Sequence, residues 1–387
     1  MPKRRSDGRG GGRTARRHLY LVLDDWYMGY SIRKVDLSSD FDCDDSGQLI
    51  AAGVPGKGSV TSVGEQLLPS PIFCINAQRG LPMYFAAFGT KVMAMHPRED
   101  GDEADTSPLV HKRLITCFNV RTRAMVFCPR PKEDQSYPLY IPVGNRLFAL
   151  SGSFQLLNPQ LAKDQSGRWC AKSWCKLAEP PFDSRCVTSY AVHPDGQTIF
   201  VSVGRFTNKK GTFSIHMVED MEKGIWEPLG EWILPFNGCG HFDRKLDAWV
   251  GLSTYPDPIG HLCSCDVIAP TASNGQCPTR KVSKETLFSQ DQNERHIGAT
   301  LIHMGHSSEY CLVQCTCIDD KHPVGKIYKY RDEGRLPCRY LFRVTTFSLK
   351  YEGNGDLTAC HSRPVRYFNV PGEASMLLLH RPVAFWM

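Results

Sequence analysis

The chain has 387 residues, 41% of them hydrophobic, with 46 Lys and Arg against 40 Asp and Glu, a formal charge of +6. No apolar run approaches the roughly 18 residues of a membrane helix, and Leu19–Leu23 is ended by Asp24 and Asp25, so neither a span nor a secretory signal is expected. Sixteen cysteines are too sparse for a disulfide scaffold of this length and read as reduced thiols, which places the protein in the cytoplasm or nucleus.

In chain order, residues 1–17 come first, with seven basic side chains opposed by Asp7 alone, so the tail holds the whole net charge and residues 18–387 balance. Lacking apolar anchors, the tail is expected to be disordered. It suits weak, salt-dependent contact with nucleic acid, nuclear import or equally the part of an inert solubilising arm, and a transit peptide is disfavoured by Asp7. From Leu19 onward, short runs of β-branched, aromatic and leucine residues alternate with Gly, Pro, Asn or Asp every 8 to 12 residues, which predicts an all-β fold.

One shape recurs: a strand-like run, a tight turn and a second run. It is found at residues 84–95, 140–150, 190–201, 241–250 and 302–313, and the first core positions of the second runs (Val92, Leu147, Ile199, Ala248, Cys311) lie 55, 52, 49 and 63 residues apart. Prolines at Pro69/Pro71, Pro129/Pro131, Pro180/Pro181 and Pro235 mark exits at a similar period, and Trp174-x-x-Leu177 and Trp226-x-x-Leu229 lie 52 apart. A period near 50 residues matches a kelch-type propeller blade better than the shorter WD40 blade. No Trp-Asp pair follows Gly240-His241, Gly260-His261 or Gly305-His306 at blade spacing. The expectation is therefore one kelch-like β-propeller over 18–387 after a disordered tail of 1–17, with six blades favoured and seven admitted. The stretches 343–349 and 365–370 are expected to supply outer strands that close the ring, and Trp174 and Trp226 to occupy equivalent buried places.

The opening His18–Trp26 and Gly29–Leu37, with Leu246–Leu252, Gly260–Asp266 and Arg343–Tyr351, resembles a grass-expanded plant family of kelch-like proteins of unknown function. The resemblance implies the propeller and supplies no reaction, cofactor or catalytic residue.

Motifs that would carry chemistry fail on particular residues. Gly53-Val-Pro-Gly56-Lys57-Gly58 lacks the glycine spacing and hydroxyl of a phosphate loop, and Ser62 lacks the first glycine of a nucleophile elbow. Asp40, Asp42 and Asp44 alternate like a calcium loop, but Asp45 stands where the turn needs glycine and Ala51 where it needs glutamate. Residues 99–105 read as a solvated acidic loop. Some plant kelch proteins are iron-dependent specifier proteins with a Glu-x3-Asp-x3-His motif. Here Glu103 and His111 flank Ser107, and Glu352 and Asp356 are followed by His361 one residue late.

The cysteine clusters Cys263 and Cys265 beside His261, and Cys311, Cys315 and Cys317, are the remaining candidates. Residues two apart on a strand share a face, but no second zinc knuckle accompanies them, so they read as buried strand thiols, as do Cys74 and Cys117. No catalytic, cofactor or metal residue is assigned. The expected function is a non-enzymatic scaffold that binds another protein through the propeller loops, the alternative being an enzyme with a small-molecule site at the central opening.

Overall fold

The computed structural model describes residues 17–37, 64–77, 84–95, 114–129, 131, 138–144, 146–157, 161–163, 169–171, 174–204, 210–217, 224–254, 257–269, 277–305, 308–319, 338–361 and 363–387. The strands follow the alternation of the sequence. In chain order they are β1 (Leu19–Trp26), β2 (Gly29–Val35), β3 (Gln66–Leu67) and β4 (Pro71–Asn76), then β5 (Tyr84–Phe88), β6 (Lys91–Met95), β7 (Leu114–Asn119) and β8 (Met125–Pro129). There follow β9 (Leu139–Val143), β10 (Arg146–Leu150), β11 (Phe154–Leu157), β12 (Leu161–Lys163), β13 (Trp169–Ala171) and β14 (Trp174–Lys176). Next are β15 (Val187–Val192), β16 (Thr198–Val203), β17 (Gly211–His216) and β18 (Trp226–Gly230), then β19 (Phe236–Asp243), β20 (Ala248–Ser253), β21 (Leu262–Asp266) and β22 (Arg280–Val282). The last are β23 (Glu294–His303), β24 (Glu309–Asp319), β25 (Cys338–Tyr351), β26 (Leu357–His361), β27 (Arg366–Asn369), the short helix α1 (Met376–His380) and β28 (Val383–Trp386).

These strands pair as consecutive antiparallel meanders: β5-β6-β7-β8, β9-β10-β11-β14 with the β12-β13 hairpin inserted, β15 to β18, β19 to β22, and β23-β24-β25-β27 with β26 and β3 attached. The remaining sheet, β28-β1-β2-β4, joins the two ends of the chain. Each meander is apolar on both faces, so it is stable only when stacked on neighbours. The hydrophobic cores show that stacking. Six separate cores each lie between two consecutive sheets, and the last, holding Leu21 and Leu23 of β1 with Val313 of β24 and Phe342 of β25, returns to the first sheet. The arrangement is an all-β, propeller-like ring of curled sheets.

The inner strand of each sheet lies toward the middle of that ring: β28 in the sheet that joins the chain ends, and β5, β9, β15, β19 and β23 in the others. β15 and β19 pair in parallel, Tyr190 beside Cys239, which merges two meanders into one eight-stranded sheet. β5 lies beside β9, and β23 beside β28. Thr300 on β23 donates to the Pro382 carbonyl at 2.5 Å just before β28.

Each of the five predicted run-turn-run segments is the hairpin of a sheet's first two strands, and Val92, Leu147, Ile199, Ala248 and Cys311 are all buried on the second strand. Trp174 opens β14 and Trp226 opens β18, each the last strand of its sheet. Each indole is buried in the core shared with the preceding sheet, so the two are equivalent. Two expectations change. Residues 343–349 and 366–369 do lie in the later strands β25 and β27, but the ring is closed by β28, which takes the inner place beside β1 (Leu19 opposite Trp386, Val22 opposite Val383). Pro69 and Pro71 mark the entry to β4 rather than an exit, since Pro71 is its first residue. The basic tail up to residue 16 lies outside the described residues. Among the described residues, no helix is long and apolar enough to cross a membrane.

Candidate functional site

The site begins with an irregularity in β19. Asn237 pairs with Leu252 and His241 with Val250, so the segment Gly238-Cys239-Gly240 faces Gly251 alone and β19 carries two extra residues. A bulge of this kind re-aims side chains and frees the backbone to pair elsewhere. Gly238 takes φ +74°, which glycine tolerates at no steric cost. At Gly240 and Gly251 the reason is space: the buried ring of Phe236 lies where a Cβ would sit, 2.2 Å from Phe236 Cζ at Gly240 and 2.5 Å from Phe236 Cβ at Gly251. Phe236 thus wedges the bulge open, and the freed segment pairs with β15.

That pairing brings four polar side chains to three neighbouring first strands. Tyr190 of β15 stands opposite Cys239 of β19 in the parallel register, and the two side chains interact. The Cys239 thiol donates to the Gly240 carbonyl at 3.5 Å, and its Sγ lies 4.0 Å from His241 Nδ1, the outer reach of a thiol hydrogen bond. His241 Nε2 lies 3.1 Å from the Leu301 carbonyl of β23. A carbonyl only accepts, so Nε2 carries the proton and Nδ1 presents a lone pair to the thiol. The His303 ring is 6.3 Å from that of His241, and 5.0 Å from Tyr310. Tyr190, Cys239, His241 and His303 are all partly accessible, although they belong to strands at the middle of the ring.

The electrostatics favour neutral forms. Burial pushes the Cys239 thiol up to about 11, against the donor hydrogen bond from Tyr190 that favours the thiolate. Burial raises Tyr190 well above the ordinary tyrosine value and lowers His241, the latter opposed by its bond to Leu301. At neutral pH the site is therefore a neutral thiol beside a neutral imidazole whose tautomer is fixed, an arrangement in which a nucleophile, a base and an orienting group stand in line.

The residues singled out from sequence fall elsewhere. Cys263 and Cys265 share a buried face of β21, as two-residue spacing on a strand requires. Cys263 donates to the Pro235 carbonyl at 3.1 Å, and burial pushes it up to about 12. His261 is spent on the Ser283 carbonyl and Thr286 Oγ1, both at 2.7 Å. Cys311, Cys315 and Cys317 are buried on β24, and Cys117 on β7. Cys74 is exposed, because β4 is the outer edge of its sheet. Glu352 and Asp356 both hold Lys284, at 3.2 and 2.9 Å. Asp40 to Asp45, Gly53 to Gly58, Ser62, residues 99–105 and the Glu103, Ser107 and His111 set lie outside the described residues. Among the described residues no three His, Cys, Asp or Glu side chains are grouped to hold a metal ion. Tyr190 and Cys239 were missed by sequence reasoning. The signal was the glycine on either side of Cys239 followed at once by His241, within a run that reads as a strand.

Among solved structures the chain is similar to a periplasmic gluconolactonase of Pseudomonas aeruginosa, at 12% identity and TM-score 0.42, covering 92% of this chain and 99% of that one. It is also similar to a 6-phosphogluconolactonase candidate of Bacteroides fragilis, at 10% identity and TM-score 0.40, covering 96% and 98%. Both carry the names of enzymes, and the expectation of a non-enzymatic scaffold is corrected on that finding. At those TM-scores neither lends this chain a reaction or a substrate. No curated protein matches the chain. Residues 16–367 match the model of a family described as "Protein of unknown function (DUF1668)", and the chain belongs to that family.

Proposed function

We propose that the protein is an enzyme with a small-molecule site at the central opening of the ring, in which Cys239 is the nucleophile, His241 its base and Tyr190 a hydrogen-bond donor to the sulfur. The observation that carries the reading is the 4.0 Å approach of Cys239 Sγ to His241 Nδ1 with Nε2 anchored on the Leu301 carbonyl. Because both partners are neutral at rest, the thiol proton passes to Nδ1 only as sulfur attacks. The chemistry this supports is acyl transfer to water. The sulfur–carbon bond forms while the carbonyl π pair moves to oxygen and the S–H proton to Nδ1. The intermediate collapses with loss of the leaving oxygen, which takes the proton from His241. Water then attacks the thioester, gives its proton to Nδ1, and the thiol is restored as the acid departs.

We further propose that the ring has six kelch-like blades. This reading is supported by the six inter-sheet cores and by a repeat spacing near 50 residues.

The test uses the intact chain and an activated ester such as p-nitrophenyl acetate. Turnover should be abolished by Cys239→Ala and strongly reduced by His241→Ala, with the far-UV circular dichroism of the wild type retained. Peptide mass spectrometry of quenched reactions should find the acetyl group on Cys239. Undiminished turnover in Cys239→Ala, or acetyl only on exposed cysteines, overturns the proposal.

A further inference from the structure

Resting on that reading of Cys239 and His241, we infer that the site takes uncharged acyl compounds, such as neutral esters, thioesters or lactones, and rejects counterparts bearing a carboxylate or phosphate. The inner strands β5, β9, β15 and β28 contain no Lys, Arg, Asp or Glu, and those in β19 and β23 are confined to strand ends. Asp243, at the end of β19, is buried and saturated. Its carboxylate accepts from Ser308 at 2.7 Å, Tyr310 at 2.9 Å, and the backbone N–H groups of Lys245 and Leu246 at 2.9 and 3.0 Å. Glu294 and Arg295 open β23, six or more residues before Leu301, which at a strand's rise is roughly 20 Å away. Arg295 also donates to Cys317 Sγ at 3.6 Å, on the next strand of its own sheet.

At the level of Cys239, the described residues on the inner strands thus include no Lys, Arg, Asp or Glu. An anionic ligand brought there would lose its hydration with no guanidinium or ammonium among the described inner-strand residues to replace it, and that loss is the dominant cost of burying an ion. The directions in which Cys239, Tyr190 and His241 are shifted report the same environment, since each is moved toward its neutral form mainly by burial. An uncharged carbonyl loses far less on entry, and its polarity is matched by the Tyr190 hydroxyl and the imidazole.

The experiment compares two alkylating agents with the same reacting carbon and different charge, iodoacetamide and iodoacetate, on the full-length protein at alkaline pH. Rates are followed at each cysteine by peptide mass spectrometry. The exposed Cys277 serves as the internal reference. The amide-to-acid rate ratio at Cys239 should exceed that at Cys277 by at least about tenfold, an exclusion of a little over 1 kcal/mol. A ratio at Cys239 equal to or below that at Cys277, or no labelling of Cys239 by either reagent, overturns the inference.

A second arm measures kcat/KM for p-nitrophenyl acetate against the anionic p-nitrophenyl hemisuccinate. Absence of turnover with both esters, alongside a retained labelling preference, sinks the thiol-enzyme reading and leaves charge exclusion standing. Turnover of both with equal efficiency and equal labelling ratios does the reverse.

Discussion

The wedge formed by Phe236 against Gly240 gives the sharpest test of how the site is built. In Gly240→Ala the new methyl would lie 2.2, 2.6 and 2.9 Å from three atoms of the Phe236 ring, all below any normal contact, and the ring is fixed in a core with Trp249, Cys263 and Leu234. Overpacking of this kind costs about 1–3 kcal/mol. Removing the ring in Phe236→Ala costs about 3–5 kcal/mol because a buried aromatic leaves a cavity. In the Phe236→Ala background the same Gly240→Ala change meets empty space, and Gly240 is not at positive φ. It should then be neutral or stabilising by up to about 1 kcal/mol through loss of unfolded-chain freedom. Equilibrium urea unfolding of the four proteins gives the cycle, with an expected coupling of about 1–4 kcal/mol in which the two changes offset each other. If Gly240→Ala costs the same with and without the ring, the bulge is not held open by Phe236, and the account of how Cys239 reaches β15 is wrong.

Other consequences follow from the same geometry. Trp174→Ala and Trp226→Ala should each lower stability by about 3–5 kcal/mol in denaturant unfolding, since each empties an equivalent place in successive cores. A cost below 1 kcal/mol for either would break the repeat alignment. His241 and His296 are both held below the ordinary histidine value by burial, so the unfolded chain binds protons more readily. Stability should therefore be full above the ordinary histidine range and fall as pH drops through it. The decline in Tm should be shallower in His241→Phe, and an unchanged slope would count against the burial of His241. Alkylation of Cys239 by iodoacetamide should accelerate with pH up to about 11, whereas exposed Cys277 should level off earlier. A Cys239 profile that levels off near neutral pH would mean a preformed thiolate.

Much of the fold was legible because it repeats. The run-turn-run shape at 84–95, 140–150, 190–201, 241–250 and 302–313 marks the first hairpin of a sheet each time, since an inner hairpin buried on both faces demands apolar runs with a tight turn whatever its exact sequence. The closing strand was not legible. Val383–Trp386 is four residues long, and what defines it is its partner β1, more than 350 residues earlier in the chain. Cys74 was misplaced for a related reason: β4 has the composition of a buried strand, and only its position at the sheet edge exposes the thiol. The site was illegible because its three members lie on strands β15 and β19, with the orienting carbonyl on β23. The sequence neighbours Cys239 and His241 hint at a dyad, whereas Tyr190 joins them only through a parallel pairing that the bulge permits.

That parallel pairing links scaffold and chemistry. In a regular meander the first strand is spoken for along its whole length by the second, and its side chains alternate into the cores on either side. The two extra residues in β19 break that pattern at one place, and the released backbone bonds to β15 rather than to β20. Cys239 is thereby withdrawn from its own sheet's alternation and set beside Tyr190, while His241, the first residue back in register with β20, stays fixed and reaches across to Leu301. The thiol is held by the pairing with β15 and the imidazole by the Leu301 carbonyl. The 4.0 Å separation is thus set by two different supports, the pairing with β15 and the Phe236 ring on the thiol side and the register with β20 and the Leu301 carbonyl on the imidazole side.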